Sequence, residues 1–335
     1  TPYQYPSDAN IQYTYEWSKL NENTGLFTVI YSGPQGSISG LSKGVYKLFV
    51  KNSLGCTSFP KTDTLKEPSR VTINPLVSKP YENEVFGVSC HNSKDGSIQL
   101  NPEGGHGTYQ YFWTDSTGTF SASTKDIANL DAGKYYLRLA DTSLRNTGKI
   151  YMHMHCDYYD TIVLTKPAKL VVDHRQSDYN GYGIDCNGSN TGYAKALANG
   201  GFGKYSYTWS KVGIGNLPFS GDSISKLAAG QYVLTVGYGK GCNEKDTFEL
   251  TQPLPLSNNA FLSNYNDSNI SCFGLKDGFI HTTISQGVPG YTYNWQNLPS
   301  NVTIGTSNNL DNIGAGNYKL TVRDKNNCSH VWNYH

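Results

Sequence analysis

The strongest constraint on how this chain folds is a five-residue aromatic alternation that occurs four times. It reads Tyr13-Thr-Tyr15-Glu-Trp17, Tyr109-Gln-Tyr111-Phe-Trp113, Tyr205-Ser-Tyr207-Thr-Trp209 and Tyr291-Thr-Tyr293-Asn-Trp295, with the tryptophans 96, 96 and 86 residues apart. A second anchor follows each: Leu41-Ser-Lys-Gly44-Val-Tyr46, Leu130-Asp-Ala-Gly133-Lys-Tyr135, Leu227-Ala-Ala-Gly230-Gln-Tyr232 and Ile313-Gly-Ala-Gly316-Asn-Tyr318. A cysteine comes 10 residues after that tyrosine at Cys56, Cys242 and Cys328, and 21 residues after it at Cys156. Cys90, Cys186 and Cys272 each stand 23 residues before their tryptophan, and Pro68, Pro167 and Pro253 close the first three copies. Independent anchors in one register are the signature of tandem repeats. They divide the 335 residues into copies at 1–69 (expected to be N-terminally incomplete), 70–167 with an insertion near 143–155, 168–253, and 254–335. About 86 residues is a workable size for one small domain.

Within a copy the apolar period is two. In the fourth, Phe279 to Ser285, Tyr291 to Trp295 and Tyr318 to Arg323 alternate as strands, separated by Asp-Gly, Pro-Gly and Asp-Lys-Asn-Asn turns. Short alternating strands with turn signals every 8 to 12 residues predict an all-β sandwich. Leu-x-x-Gly-x-Tyr resembles the corner before strand F of immunoglobulin-like sandwiches, where a tyrosine hydroxyl returns to the backbone. The expected architecture is all-β, with tandem immunoglobulin-like sandwiches in an extended head-to-tail rod. Trp17, Trp113, Trp209 and Trp295 are the expected core plugs, with Tyr46, Tyr135, Tyr232 and Tyr318 at the corners. The alternative role for the aromatics is a carbohydrate-stacking platform, which would make the copies lectin-like.

A formal net charge of +1 gives no basic stripe for nucleic acid. Charged residues at 16% and aromatics at 13% are the reverse of a disordered composition. No apolar run approaches the length of a membrane-spanning helix. The chain does not open on a signal peptide, and the expectation is a mature or truncated fragment.

These anchors resemble the SprB repeats of gliding-motility adhesins in Bacteroidota. The resemblance rests on Cys272-Phe-Gly274-Leu-Lys-Asp277-Gly278 in the fourth copy, and on Gly200-Gly201-Phe-Gly-Lys-Tyr205, Gly241-Cys242 and Thr251-Gln252-Pro253 in the third. Asp95-Gly96 and Gly104-Gly105 carry it in the second. Thr191 replaces the aspartate in the third copy, and His155-Cys156 replaces Gly-Cys in the second. The resemblance implies a non-enzymatic adhesin at the cell surface, exported by type IX secretion and carried by the gliding machinery. Its expected partners are that machinery, neighbouring repeats of one long chain, and surface polysaccharide. No C-terminal sorting domain is visible, so an internal segment of a longer filament is expected.

Cysteines at fixed repeat positions read as disulfides rather than thiols. Two per copy, with the opening cysteine of the first copy missing, account for seven. One pairing stays within copies: Cys90–Cys156, Cys186–Cys242 and Cys272–Cys328. The other crosses between neighbours: Cys90–Cys242 and Cys186–Cys328, with Cys56, Cys156 and Cys272 joined to segments outside. The second is favoured, because in an immunoglobulin-like topology the two cysteines of one copy lie at opposite ends of a strand roughly 20 Å long, beyond the 4.4–6.8 Å or so that bridged Cα atoms span.

Other chemistry is thinly signalled. Tyr151-Met152-His153-Met154-His155-Cys156 has soft metal ligands, but its cysteine belongs to the repeat, and an elongated hairpin is the expected reading. Asp95, Asp277 and the stretches 264–269 and 308–312 lack the spacing of a calcium loop. No phosphate loop, nucleophile elbow or metalloprotease helix occurs. Neither a cofactor nor a metal site is expected. The lineage implied by the resemblance O-glycosylates Asp-(Ser/Thr)-aliphatic tripeptides, which makes Thr64, Thr161 and Ser223 candidates.

Overall fold

The computed structural model describes residues 11–80, 86–142 and 156–335, and every regular element among them is a strand. The first copy contributes β1 (Tyr13–Leu20), β2 (Phe27–Gly33), β3 (Gly44–Asn52) and β4 (Lys61–Leu65). After these come β5 (Ser69–Thr72), β6 (Leu76–Val77), β7 (Gly96–Gln99), β8 (Glu103–Gly105) and β9 (Tyr109–Asp115). The second copy ends with β10 (Ser121–Ala122), β11 (Ile127–Leu130), β12 (Gly133–Asp141) and β13 (Cys156–Leu164). The third holds β14 (Ala168–Gln176), β15 (Gly192–Gly201), β16 (Tyr205–Lys211), β17 (Gly215–Asn216), β18 (Ser223–Leu227), β19 (Gly230–Tyr238) and β20 (Cys242–Leu250). The fourth repeats them as β21 (Ser257–Leu262), β22 (Gly278–Ser285), β23 (Thr292–Leu298), β24 (Val302–Gly305), β25 (Asn309–Ile313), β26 (Asn317–Arg323) and β27 (Ser329–Tyr334).

The chain forms two compact units, Thr1–Leu76 with Gln99–Asp126 and Tyr135–Ile162, and Val77–Ile98 with Ile127–Lys134 and Val163–His335. In the first unit one antiparallel sheet has the order β2-β1-β3-β4, β5 pairs with β8, and a further sheet runs β10-β9-β12-β13. Alternation along this last sheet buries Trp113, Tyr135, Leu137 and Leu139 on one face. Gly104, at φ +88°, sits where a Cβ would meet the Arg70 carbonyl oxygen at 2.2 Å, so the approach of the β5 backbone requires a glycine there.

The second unit shows the repeat most completely. In the third copy a sheet β14-β15-β18 and a sheet β17-β16-β19-β20 share one core. Ala194 and Ile224 come from the first sheet, and Trp209, Leu234, Val236 and Phe248 from the second. The burial pattern of β19 alternates so that Tyr232, Leu234, Val236 and Tyr238 all face inward. The fourth copy repeats both sheets, as β21-β22-β25 and β24-β23-β26-β27, around Ile280, Trp295, Leu310 and Leu320. A fifth sheet of this unit, contributed by the second copy, is β11-β7-β6.

A tyrosine corner is seen in the first, third and fourth copies. Tyr46, Tyr232 and Tyr318 donate their hydroxyls to the carbonyls of Ser42, Ala228 and Gly314, four residues upstream, each at 2.7 Å. Trp113, Trp209 and Trp295 are at most 1% exposed, and each indole N–H donates to a backbone carbonyl, of Thr124, Gly221 and Ser307. In the second, third and fourth copies the first tyrosine of the aromatic alternation is tied down too. Tyr109, Tyr205 and Tyr291 donate to the carbonyls of Gly104, Gly200 and Gln286.

Trp17 departs from its expected place in a core. It is half-buried, and its indole nitrogen has no partner among the described residues. The physical reason is visible in the sheet count. Among the described residues no second sheet is formed by the first copy, so the face that buries Trp209 elsewhere is incompletely covered here.

Candidate functional site

The chemistry that recurs from copy to copy lies at two loops: an opening loop, in the second, third and fourth copies, that carries the cysteine before the second strand, and a closing turn that carries the cysteine after the last corner strand. Both are built from short polar side chains that satisfy backbone N–H groups, the usual reason Asp, Asn and Ser are favoured in turns.

In the opening loop of the second copy, the Asp95 carboxylate accepts from the Ser89 backbone N–H at 3.0 Å and from the Ser93 hydroxyl at 2.8 Å. In the fourth, Asp277 accepts from the backbone and side chain of Ser271. In the third, where Thr191 stands in place of the aspartate, the pair is reversed. Asp185, at the position of Ser89 and Ser271, accepts from the Thr191 hydroxyl at 2.6 Å, from the Cys186 N–H at 2.6 Å, and from the Ser189 hydroxyl. The carboxylate has moved to the other end of the loop while the hydrogen-bonded pair survives. Sequence reasoning recorded the missing aspartate and overlooked the exchange. Reading the residue before each cysteine together with the residue five after it shows Ser–Asp, Asp–Thr and Ser–Asp.

These carboxyls sit below the usual range. For Asp277 the Ser271 hydroxyl is the main cause. For Asp95 and Asp185 burial works upward, and the hydrogen bonds from Ser89 and Ser93, or from Ser189, Thr191 and Cys186, more than offset it. A carboxylate accepting several donors is favoured in its charged form.

The closing turn of the fourth copy is organised by Asp324, which is buried. Its carboxylate accepts from the N–H groups of Asn326, Cys328 and Val288, each at 2.9 Å. Asn52 does the same in the first copy for Leu54 at 3.1 Å and Cys56 at 2.8 Å. Asp141 in the second copy accepts from His106 N–H at 2.7 Å, as Asp324 does from Val288.

The structure brings opening loops and closing turns of neighbouring copies together within the second unit. Cys90 is bonded to Cys242 with Cα atoms 5.6 Å apart, and Cys186 to Cys328 at 5.5 Å. Around the second bond, Asn326 donates its amide to the carbonyls of Tyr179 at 3.1 Å and Asp185 at 3.0 Å, and accepts from the Asn180 amide. Cys56, Cys156 and Cys272 are exposed thiols among the described residues.

Thr64 and Thr161 are exposed on β4 and β13, and the preceding aspartate of each accepts from its backbone N–H, at 2.8 and 2.7 Å. Ser223 is half-buried on β18 and donates to Asp222 at 2.9 Å. The ligand-rich stretch 151–155 lies outside the described residues. In 264–269 and 308–312 the polar groups serve turns and strand ends, as when Asn264 accepts from Asp267 N–H at 2.9 Å. Asp173, His174 and Asp246 bring three donor atoms within 4.8 Å. There His174 Nδ1 is 2.6 Å from Asp246, and its ring stacks on Phe248 at 4.4 Å, so a hydrogen-bonded pair packed on an aromatic accounts for the arrangement.

Residues 87–118 and 264–299 of the chain match the SprB repeat family. No curated protein matches the sequence. Among solved structures, three N-terminal domains of the bacteriophage RB49 Highly Immunogenic Outer Capsid protein are 12% identical, covering 79% of this chain and 97% of that one at a TM-score of 0.34. A tetra-tandem repeat from the extending region of a large adhesion protein is 11% identical, covering 96% and 91% at a TM-score of 0.28. The insect immune protein hemolin is 11% identical, covering 97% and 91% at a TM-score of 0.21.

Proposed function

We propose that this chain, which carries SprB repeats, is a structural and adhesive segment of a secreted filament at the cell surface, of the kind gliding cells move over a substratum. The observation that carries this reading is the pair of disulfides between neighbouring copies. Copies joined by a linker alone can pivot about it. The linkers here are short and contain Pro167 and Pro253, and each junction is closed a second time by Cys90–Cys242 or Cys186–Cys328. Two covalent connections per junction resist bending and shear, which is what a filament under drag needs. Disulfides also favour an oxidising compartment outside the cell.

The arrangement favours a mechanical role over a lectin-like one. A stacking platform needs exposed indole or phenol faces, whereas Trp113, Trp209 and Trp295 are buried and the tyrosines at their strand starts are hydrogen-bonded to backbone. No catalytic constellation is part of the reading. Type IX export, the gliding machinery and surface polysaccharide remain the proposed partners, and 1–69, 70–167, 168–253 and 254–335 the proposed domains of a head-to-tail rod.

The test begins with antibodies against residues 168–335 applied to intact cells. Surface labelling that disappears when living cells are treated with protease is expected, and its absence overturns the surface assignment. Beads coated with the same antibody are expected to travel along moving cells. Beads that bind and stay fixed remove the gliding part. X-ray scattering on the chain tests the rod, because a maximum dimension near that of a compact globule of this length contradicts it.

A further inference from the structure

The receptor that grips Asn326 and Cys328 on the third copy is present a second time, 86 residues later, with nothing of the described chain in it. Tyr179-Asn180-Gly181-Tyr182 and Tyr265-Asn266-Asp267-Ser268 form the same tight turn. The backbone bonds agree: Tyr179 N–H to Tyr182 O at 2.7 Å, and Tyr265 N–H to Ser268 O at 2.7 Å. Asn180 and Asn266 stand at φ +54° and +51°. The buttresses agree as well. Tyr179 donates to Thr191 O at 3.2 Å and Tyr265 to Asp277 O at 3.1 Å. Ser177 donates to Gly183 O and Ser263 to Asn269 O, both at 2.7 Å. The cysteine carbonyl accepts from Ser189 N–H at 3.1 Å in one loop and from Leu275 N–H at 3.2 Å in the other.

What differs is occupancy. On the third copy, Tyr179 O, Asp185 O, the Asn180 amide and Cys186 are all engaged by the closing turn of the fourth. On the fourth copy their counterparts are Tyr265 O, Ser271 O, the Asn266 amide and the exposed thiol of Cys272. Beside Cys272, Phe273 is fully exposed and Leu275 is half-exposed, an apolar rim with nothing over it among the described residues.

We propose that the opening loop of the fourth copy, residues 265–278, is a preformed docking site for the closing turn of a further repeat, whose asparagine two residues before its cysteine is held by Tyr265, Asn266 and Ser271 while the cysteine bonds to Cys272. The occupant is defined by the chemistry seen one copy earlier: an Asp-Lys-Asn-Asn-Cys turn pre-folded by its aspartate. Docking comes first and the covalent step follows by exchange. The Cys272 thiolate attacks the sulfur of an incoming mixed disulfide, one S–S bond breaks as another forms, and the small thiol leaves with the electron pair and takes up a proton. No net oxidant is needed.

The inference rests on the reading of the chain as a stack of repeats, and one experiment separates the two. The protein, with its two disulfides intact, is incubated in a thiol buffer with the peptide acetyl-Asp-Lys-Asn-Asn-Cys-Ser-His-Val-amide supplied as a mixed disulfide with cysteamine. Bonded peptides are then mapped by mass spectrometry. Capture at Cys272 is expected to exceed capture at Cys56 and Cys156 by at least about threefold, the order expected when a net hydrogen bond is gained. Replacing the peptide's first asparagine by alanine is expected to abolish the preference, as is Asn266→Ala in the protein. Equal capture at the three cysteines, or capture indifferent to that asparagine, overturns the docking site. The peptide substitution leaves the protein untouched, so a folding defect cannot mask the answer. The same map shows whether Cys90–Cys242 and Cys186–Cys328 are present, and their absence overturns the stack rather than the site.

Discussion

The first and third copies share the same sequence anchors and bury them differently. In the third, Trp209 is fully buried and its N–H is bonded, and Leu234 and Val236 beside it are fully buried. In the first, Trp17 is half-buried with an N–H that has no partner among the described residues, and Leu48 and Val50, at the positions of Leu234 and Val236, are half-buried. Yet the local features agree. β1 pairs with β3 in the register Trp17↔Leu48, as β16 pairs with β19 in the register Trp209↔Leu234. Lys19 lies over the ring of Tyr46 at 5.6 Å, and Lys211 over Tyr232 at 5.2 Å. Strand, register and corner are therefore local consequences of the anchors. Burial is a property of the second sheet.

The largest expected effect separates the two copies most sharply. Trp209→Ala should lower the opening free energy of the third copy by about 3–5 kcal/mol, while Trp17→Ala should lower that of the first by about 1–2 kcal/mol. Hydrogen exchange at the amides of Leu234 and Leu48 reads both. Equal losses would mean that the first copy has a full core after all.

Next comes the covalent link. Replacing Cys186 and Cys328 together by serine should cost about 2–4 kcal/mol, whereas Cys56→Ser should leave the melting temperature unchanged. A cysteine 56 variant that melts early would show that this thiol has a partner.

The third effect should be the same in both copies, and so it tests the claim that the corner is local. Tyr46→Phe and Tyr232→Phe each remove one hydroxyl-to-carbonyl bond and should each cost about 1 kcal/mol by denaturant titration. A large inequality would break the comparison at its shared part.

The smallest effect is expected in acid. Asp185 titrates below its ordinary value of 3.8 in the folded chain, so the stability it contributes is present above that value and is lost as pH falls through the lower folded one. Exchange at the Cys186 amide, which donates to Asp185, should accelerate in that window. Thr191→Ala, which removes one of the donors, should move the onset to higher pH.

Much of the fold was legible because it is written in short-range chemistry. Period-2 alternation marks a strand whatever surrounds it, and Leu-x-x-Gly-x-Tyr closes a bond only four residues long. The candidate site was legible in part. The cysteine positions could be read from the repeat, and strand direction favoured the pairing between neighbours without deciding it. The Asp185–Thr191 exchange and the grip of Asn180 on Asn326 could not, since the first hides behind an apparent loss and the second joins residues 146 apart.

By itself, the sequence determined an all-β chain of repeats, the strands within each, the corner tyrosines and the cysteine framework, because each depends on residues near one another in the chain or on a period. The tertiary structure decided which tryptophans are enclosed, which cysteines meet and which opening loop stands open. Those outcomes depend on what lies opposite a face, and a face has no record in the sequence of its own strand.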